Sequence, residues 1–425
     1  MSDDRADLVI VGAGTVGGWA SVFARQSGAQ GVIVIDRGRA GDGASSRAAG
    51  MVRAQGGTPG TVRLGAWSID FYKRQQERYG ADSGFRELGY LILAGNADEE
   101  RAGRARVAMQ QAAGLDVRWV DAQTAATFDS CLDPSSIRGA SYAPNDGCID
   151  PVRNVRAFSL AMQTAGVELR ESCAFTGLET TRQGSDARVT AVLTEKGRIE
   201  TSRVLLTGGP QLRDVGRLIG INVPAGAVRH QVAVTEPHPD FQIDRRAMAF
   251  DLAGGLYWRL EDGGLLFGMS NPDEPPGPAR SIDRNYLSSM RRRLARFLPV
   301  TEKLGLRKVW AATIDYTPDH QPILGPALTP DGGVIEGATV ASAGGHGMMW
   351  GPAVARIAAD LALEGSSNFS SPLAEEGQGG GSQIDVSRWG LDRFDADGRS
   401  RLATDPIALP FPTEATEAPV GTRAR

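Results

Sequence analysis

Apolar and polar positions along this chain repeat with two periods, and each switch between them marks out an element. The clearest case is residues 7–36. An apolar run Asp7-Leu-Val-Ile-Val11, a glycine turn, a helix-compatible stretch to about Ser27 and a second apolar run Gly31-Val-Ile-Val-Ile-Asp36 together predict a βαβ unit. Helical periodicity returns at 61–79, 97–113, 152–165, 283–298 and 352–364, while strand-like runs fall near 88–93, 188–194, 203–207, 228–235, 255–259, 264–269 and 309–316. The middle strands alternate too cleanly and follow one another too closely for a purely parallel sheet. The pattern therefore predicts an α/β nucleotide-binding domain of Rossmann type, interrupted by an α+β domain on an antiparallel sheet. Boundaries are expected at 1–88, 146–220 and 320–370 for the first and at 89–145 and 221–319 for the second. Beyond them, Glu375 to Ser382 has linker character and Pro412 to Arg425 is short of core residues, so the extension 371–425 is expected to be partly flexible. Between these stretches Ile384 to Trp389 is suited to packing back on the body.

Charge changes little in this picture and removes some functions. A net charge of −4 implies no strong attraction to nucleic acid or to an anionic membrane. Cys131, Cys148 and Cys173 have neither the number nor the spacing of a disulfide framework or a zinc site, and no histidine pair has metal-ligand spacing, so no metal is expected. The apolar stretch Leu8 to Ala24 is too short to span a bilayer, is broken by glycines and follows an acidic flank. Residues 337–355 lack Asp, Glu, Lys and Arg but carry five glycines and a proline, which suits a loop. A cytoplasmic protein without membrane attachment is the expectation.

Glycine alters the picture more, since 54 of 425 residues is nearly double the usual share of about 7%. Gly12-Ala-Gly14-Thr-Val-Gly17 follows a strand and opens a helix, with Asp36 at the end of the next strand. In that order Gly12 permits the tight turn, Gly14 lets backbone approach a pyrophosphate, Gly17 lets helix and strand pack, and Asp36 accepts from a ribose diol. The fingerprint does not separate NAD from FAD. Further small-residue stretches follow at Gly43-Ala-Ser45-Ser46-Arg47-Ala48-Ala49-Gly50-Met51-Val52-Arg53, at Val204-Leu-Leu-Thr207-Gly208-Gly209-Pro210, and at Ala343-Gly344-Gly345-His346-Gly347-Met348-Met349-Trp350-Gly351-Pro352.

With Asp315-Tyr-Thr-Pro-Asp-His-Gln-Pro-Ile-Leu-Gly-Pro326, these segments resemble the D-amino-acid oxidase superfamily of FAD enzymes over residues 6–370, in the family's order. The branch they are most similar to holds the sarcosine, dimethylglycine and glycine oxidoreductases. The resemblance implies that Gly12, Gly14, Thr15, Val16, Gly17, Asp36 and Arg37 hold the ADP half of FAD. Ser45, Ser46, Arg47, Ala49, Gly50 and Met51 would run along the pyrophosphate and the ring. The backbone at Phe175 would meet adenine, Thr207 and Gly208 would close the cradle, and Gly344, Gly345, His346, Gly347, Met348 and Met349 would sit at the pyrimidine edge. Two departures imply noncovalent FAD: Arg47 stands where relatives place a flavin-linked histidine, and Trp310-Ala-Ala-Thr313 lacks the cysteine of monomeric sarcosine oxidases.

Arg53 aligns with an arginine that pairs with substrate carboxylate, the alternative being a pairing with phosphate or a neighbouring acid. Tyr257 and Arg259 share one face of a strand and are candidates for lining the substrate pocket, an exposed strand face being the other explanation. His346 is a candidate for steering substrate. The implied reaction is oxidation of the C–N bond of an amino acid or N-methylated amine. A hydride would pass to flavin N5, the imine would be hydrolysed, and hydrogen peroxide would form where O2 is the acceptor. Two alternatives remain open: a hydroxy-acid or polyol-phosphate dehydrogenase on the same fold, and a flavin subunit passing electrons to a partner protein. Substrate, acceptor and oligomeric state are not set by the sequence.

Overall fold

The protein is described by a computed structural model covering residues 4–183, 186–241, 246–278, 281–374 and 384–407. The linker expected at 375–382 and the segment 412–425 lie outside the described residues.

The first βαβ unit forms as its pattern predicts. Strands Leu8–Val11 and Val32–Ile35 pair in parallel through helix Thr15–Gln26. On the other side Val204–Leu206 pairs with Leu8–Val11, and Val334–Ser342 follows, both in parallel. Asp186–Thr194 continues the sheet and carries antiparallel neighbours at Phe175–Gln183 and Gly197–Glu200. Both faces of the central strands are covered, which is why they read as unbroken apolar runs rather than alternating ones. Leu8 and Ile10 pack with Trp19 and Phe23 of the first helix and with Val354 and Ile357 of helix Gly351–Glu364. Val9 and Val11 face the other way, onto Ile33, Val204 and Leu206.

The second sheet has eight strands among the described residues and is antiparallel, except where Met248–Asp251 runs parallel to Tyr90–Ala94. Helix Arg284–Phe297 covers one face, burying Met290, Leu294 and Phe297 against Trp258, Leu265 and Phe267. On the other face Tyr90, Val232, Phe250 and Tyr257 form a separate apolar cluster. The period-2 alternation thus sorts side chains between a helix and a chamber, with Trp258 going to the helix and Tyr257 to the chamber.

Local capping sets the helix starts. Thr58 closes a capping box on helix Pro59–Lys73, Asn96 and Asp150 cap Ala97–Ala112 and Pro151–Thr164, and Asp283 caps Arg284–Phe297. The periodicity at 61–79 proves to be two helices, Pro59–Lys73 and Gln75–Tyr79. Residues 384–407 have no α-helix or strand, yet they are packed: Ile384, Val386 and Trp389 join the first core cluster and Leu391 the second. Among the described residues, no helix is long and apolar enough to cross a membrane.

Candidate active site

One elongated cleft runs from Asp36, past the glycine turn, to the chamber face of the second sheet. It encloses about 1490 Å³ of non-atom space with its open mouth included.

Its first end is a cradle that side chains would fill. Gly12 sits at φ +105°, and a Cβ there would lie 2.8 Å from Thr207 O. A Cβ on Gly17 would lie 1.9 Å from Gly12 O and 2.6 Å from Thr207 Oγ1, so neither glycine tolerates a side chain without the turn moving. Thr207 donates its hydroxyl to Val11 O at 2.9 Å, and Ser45 Oγ accepts from Thr15 N at 2.9 Å. Asp36 also braces the turn, because its carboxylate accepts from Ala13 N at 2.8 Å and from Gly38 N at 2.7 Å. The start of helix Thr15–Gln26 lines this cradle through Thr15 and Val16 and brings the helix's positive dipole end to it.

A second helix start faces the middle of the cleft. Gly344 and Gly345 adopt φ +56° and +87°, and the chain then turns through His346, Gly347 and Met348 into helix Gly351–Glu364. Tyr72 fixes this turn by donating to Met348 O at 2.9 Å. His346 is 5% exposed and stacks on Trp350, with centroids 4.0 Å apart. Its Nδ1 lies 3.1 Å from Gly344 O; a carbonyl only accepts, so Nδ1 carries the proton and Nε2 is the free acceptor. Burial, with the Arg53 charge adding to it, pushes His346 down to about 3, so it is neutral at ordinary pH. Asp315 also lines the cleft, accepts from Ser342 Oγ at 2.7 Å, and has its carboxyl raised by burial.

The far end lies on the second sheet. His230 Nε2 is 2.7 Å from Tyr257 Oη, although the two residues stand on strands separated by Gly264–Met269. Gly268 pairs with both Val232 and Tyr257 in the strand register, and a Cβ on it would lie 2.2 Å from Tyr257 Oη. The missing side chain lets the tyrosine ring lie across the middle strand. Burial pushes His230 down to about 4 and Tyr257 upward, so the pair is neutral. Arg53 is 3% exposed; it donates through one terminal nitrogen to Gln55 O and through the other to Ile407 O at 3.0 Å. Its Nε has no partner among the described residues. Nearby, fully buried Asp146 accepts from Ala54 N at 2.8 Å, and burial pushes its carboxyl up to about 7.

Of the residues expected from the sequence, Gly12, Gly14, Thr15, Val16, Asp36, Ser45, Arg47, Ala49, Gly50, Met51, Arg53, Thr207, Gly208, Tyr257, Gly345, His346, Gly347, Met348 and Met349 line the cleft. Gly17 and Gly344 shape its turns from behind. Arg37 and Ser46 are not lining residues, and neither is Phe175, which packs with Ile33, Ile35 and Cys173. Arg259 shares the strand face with Tyr257, but its guanidinium is taken up by Ala49 O at 2.7 Å, Leu260 O at 3.0 Å and Glu261. It ties the loop at Ala49 to the second sheet and does not line the cleft. Tyr90, His230, Phe250 and Asp315 line it without having been expected. The glycine Gly268 in an otherwise bulky strand was the sequence signal for His230 and Tyr257 meeting. None of the three cysteines lines the cleft.

The model of the family described as FAD dependent oxidoreductase matches residues 7–361. The chain is 26% identical over 380 residues to 4-methylaminobutanoate oxidase (formaldehyde-forming) of Paenarthrobacter nicotinovorans, covering 86% of this chain and 45% of that one. It is 25% identical over 384 residues to mitochondrial dimethylglycine dehydrogenase of Mus musculus, covering 86% and 43%. It thus spans less than half the length of these curated relatives. Among solved structures, L-proline dehydrogenase from P. horikoshii superposes with a TM-score of 0.79 at 22% identity, covering 91% of this chain and 97% of that one. Glycine oxidase from Geobacillus kaustophilus superposes with a TM-score of 0.73 at 24% identity, covering 87% and 97%.

Proposed function

Because the chain belongs to the family of FAD-dependent oxidoreductases, we propose that it oxidises the C–N bond of a small amino acid or N-methylated amino acid. The observation that carries this is Arg53: a buried guanidinium at the chamber end of the cleft, held by neutral carbonyls and with Nε unpartnered among the described residues. Asp146 lies within range of its charge but makes no ion pair with it among the described residues, and a substrate carboxylate is a partner able to grip this buried cation directly. The matched relatives and structures are named for amino acids and N-methylated amino acids, which supports the same substrate class.

The residues present fit FAD, since the cradle at Gly12 and Gly17 leaves room only for backbone beside a ligand and two helix starts face the cleft. Gly12, Gly14, Thr15, Asp36 and Ser45 would hold the ADP half, and the turn 345–349 would lie along the ring. FAD supplies, when bound, a two-electron acceptor for the hydride on the carbon next to nitrogen. Arg53 anchors the carboxylate and thereby fixes which carbon faces the cleft's centre. Burial, with the Arg53 charge adding to it, holds His346 neutral, and the same surroundings favour the unprotonated amine. In the tautomer in which His230 Nε2 accepts the Tyr257 proton, the Oη lone pairs are left to accept the N–H of a primary or secondary amine. The start of helix Gly351–Glu364 favours negative charge at the adjoining part of the cleft. Binding of FAD is noncovalent on this proposal: Arg47 pairs with Asp42 at 3.4 Å, and no cysteine lines the cleft.

Anaerobic mixing of the holoenzyme with sarcosine, dimethylglycine, proline, glycine and a set of 2-hydroxy acids tests the proposal. Bleaching of the flavin by one of the amino acids is expected. Bleaching by hydroxy acids alone would overturn the C–N assignment.

A further inference from the structure

Residues 384–407 form a strap fastened at Trp389, Arg393, Ser400 and Ala403. Trp389 is 1% exposed and donates its indole N–H to Gln321 Oε1 at 3.2 Å. Arg393 grips Asp319 with two hydrogen bonds of 2.7 and 3.1 Å, both side chains almost fully buried. Ser400 donates to the same carboxylate at 2.6 Å, and Gln321 donates to Ala403 O at 3.0 Å.

The strap's last residues pack against Arg53 and the apolar cluster at the chamber end of the cleft. Asp405 accepts from Thr61 Oγ1 at 2.9 Å, from Gly57 N at 3.2 Å and from Ile407 N at 2.8 Å. That arrangement holds Ile407, 1% exposed, in the apolar cluster of Tyr90, Phe250 and Tyr257, with its carbonyl oxygen 3.0 Å from Arg53 Nη2.

We propose that this strap is a displaceable wall of the substrate chamber: Ile407 O occupies Arg53 in place of a substrate carboxylate, and the Ile407 side chain limits the size of substrate admitted. The proposal rests on the carboxylate-binding role of Arg53 given above. Arg53 is a cation satisfied by carbonyl groups on two sides, and a carboxylate forms the stronger, charge-assisted hydrogen bonds. Exchange of Ile407 O for a carboxylate oxygen therefore favours the bound state once the ligand is present. A second arginine makes the chamber end still more favourable to an anion. Arg106 is 9% exposed with its Nε unpartnered among the described residues; burial, with the Arg53 charge adding to it and Asp405 opposing both, pulls it down to about 10. Two buried guanidiniums thus lie within reach of each other's charge, and the strap brings in Asp405, whose charge acts on Arg106.

Two variants release the strap's end by different routes. A chain ending at Leu402 keeps the fastenings at Trp389, Arg393 and Ser400 but lacks Asp405 and Ile407. Gly57→Ala keeps the full chain, and its Cβ would lie 2.0 Å from Asp405 Oδ1 and 2.5 Å from Pro406 Cδ, so the end of the strap must move. Acetate and benzoate are titrated into each holoenzyme and followed by the change in flavin absorbance. Both variants are expected to bind acetate about tenfold more tightly than the full chain, the worth of removing one competing hydrogen bond to a charged donor. Benzoate is expected to gain more than acetate, and Ile407→Ala, which keeps the backbone, is expected to gain for benzoate alone. Unchanged or weaker acetate binding in the variants, with measurable binding to the full chain, would overturn the strap proposal and leave the amino-acid reading standing. No binding of either carboxylate to any form would remove the role of Arg53, and both proposals with it.

Discussion

Arg393→Met offers a quantitative test of how the C-terminal segment is held. In the folded protein Arg393 and Asp319 are 4% and 1% exposed at their side chains, so solvent does not screen the pair. Removing the arginine leaves the carboxylate buried with only Ser400 Oγ and Gln321 N as donors. Breaking one partner of such a pair costs about 3–5 kcal/mol. A chain of 425 residues has an unfolding entropy of about 0.9 kcal/mol/K, so Tm should fall by about 3–6 °C. Differential scanning calorimetry of the holoenzyme reads this directly, with the exposed Arg401→Met as the control expected to change nothing. Combining Asp319→Asn with Arg393→Met should recover part of the loss, because no bare carboxylate is then left behind. A Tm for Arg393→Met within about 1 °C of the parent protein, the range of an ordinary surface substitution, would show that the pair is not buried as described.

Three further outcomes are expected. Gly17→Ala should yield protein with little flavin, because its Cβ meets Gly12 O at 1.9 Å; a full ratio of flavin to protein absorbance would contradict the cradle geometry. Tyr257→Phe should lower kcat/KM about 10- to 100-fold, the worth of one hydrogen bond to a reacting group, with flavin content unchanged; steady-state kinetics and the absorbance ratio separate the two effects. Asp146 titrates near 7 when folded and near 3.8 when unfolded, so the folded state holds the extra proton between those values. Its contribution to stability is complete below about pH 3.8 and is lost as pH rises towards 7. Asp146→Asn should therefore gain Tm relative to the parent between pH 5 and pH 8, and a constant difference across that range would count against the burial of this carboxyl.

How much of this was legible in the sequence depended on how local the cause was. The βαβ unit and its glycine turn were visible because strand, turn, helix and acid lie within about thirty residues and each is set by its neighbours in sequence. Helices with side-chain caps at Asn96, Asp150 and Asp283 were equally plain. Strand Gly139–Ala143 was missed because glycine, alanine and serine carry little strand signal; strand Val334–Ser342 was missed despite its β-branched residues, its second half having been read as part of the glycine-rich loop 337–355. Arg259 was on the expected face, but its partners Ala49 O and Glu261 decided what it does. His230 was passed over because its significance lies in a tyrosine two strands away. Nothing near Ile407 announces a chamber wall; its place follows from Asp319, Gln321 and Gly57, none of which is its neighbour in sequence.

Neighbouring strands run about 4.8 Å apart, so side chains two strands apart begin nearly 10 Å from each other. The 2.7 Å contact between His230 and Tyr257 spans that gap only because Gly268 leaves an empty notch between them. An absent side chain is thus a working part of the chamber. A slip of one residue in the middle strand would put Phe267 or Met269 under the tyrosine and turn their neighbours over. The hydrogen bond consequently acts as a gauge of register, closing only when three strands have assembled in alignment, so that correct folding of the sheet and readiness of its chemistry become one event.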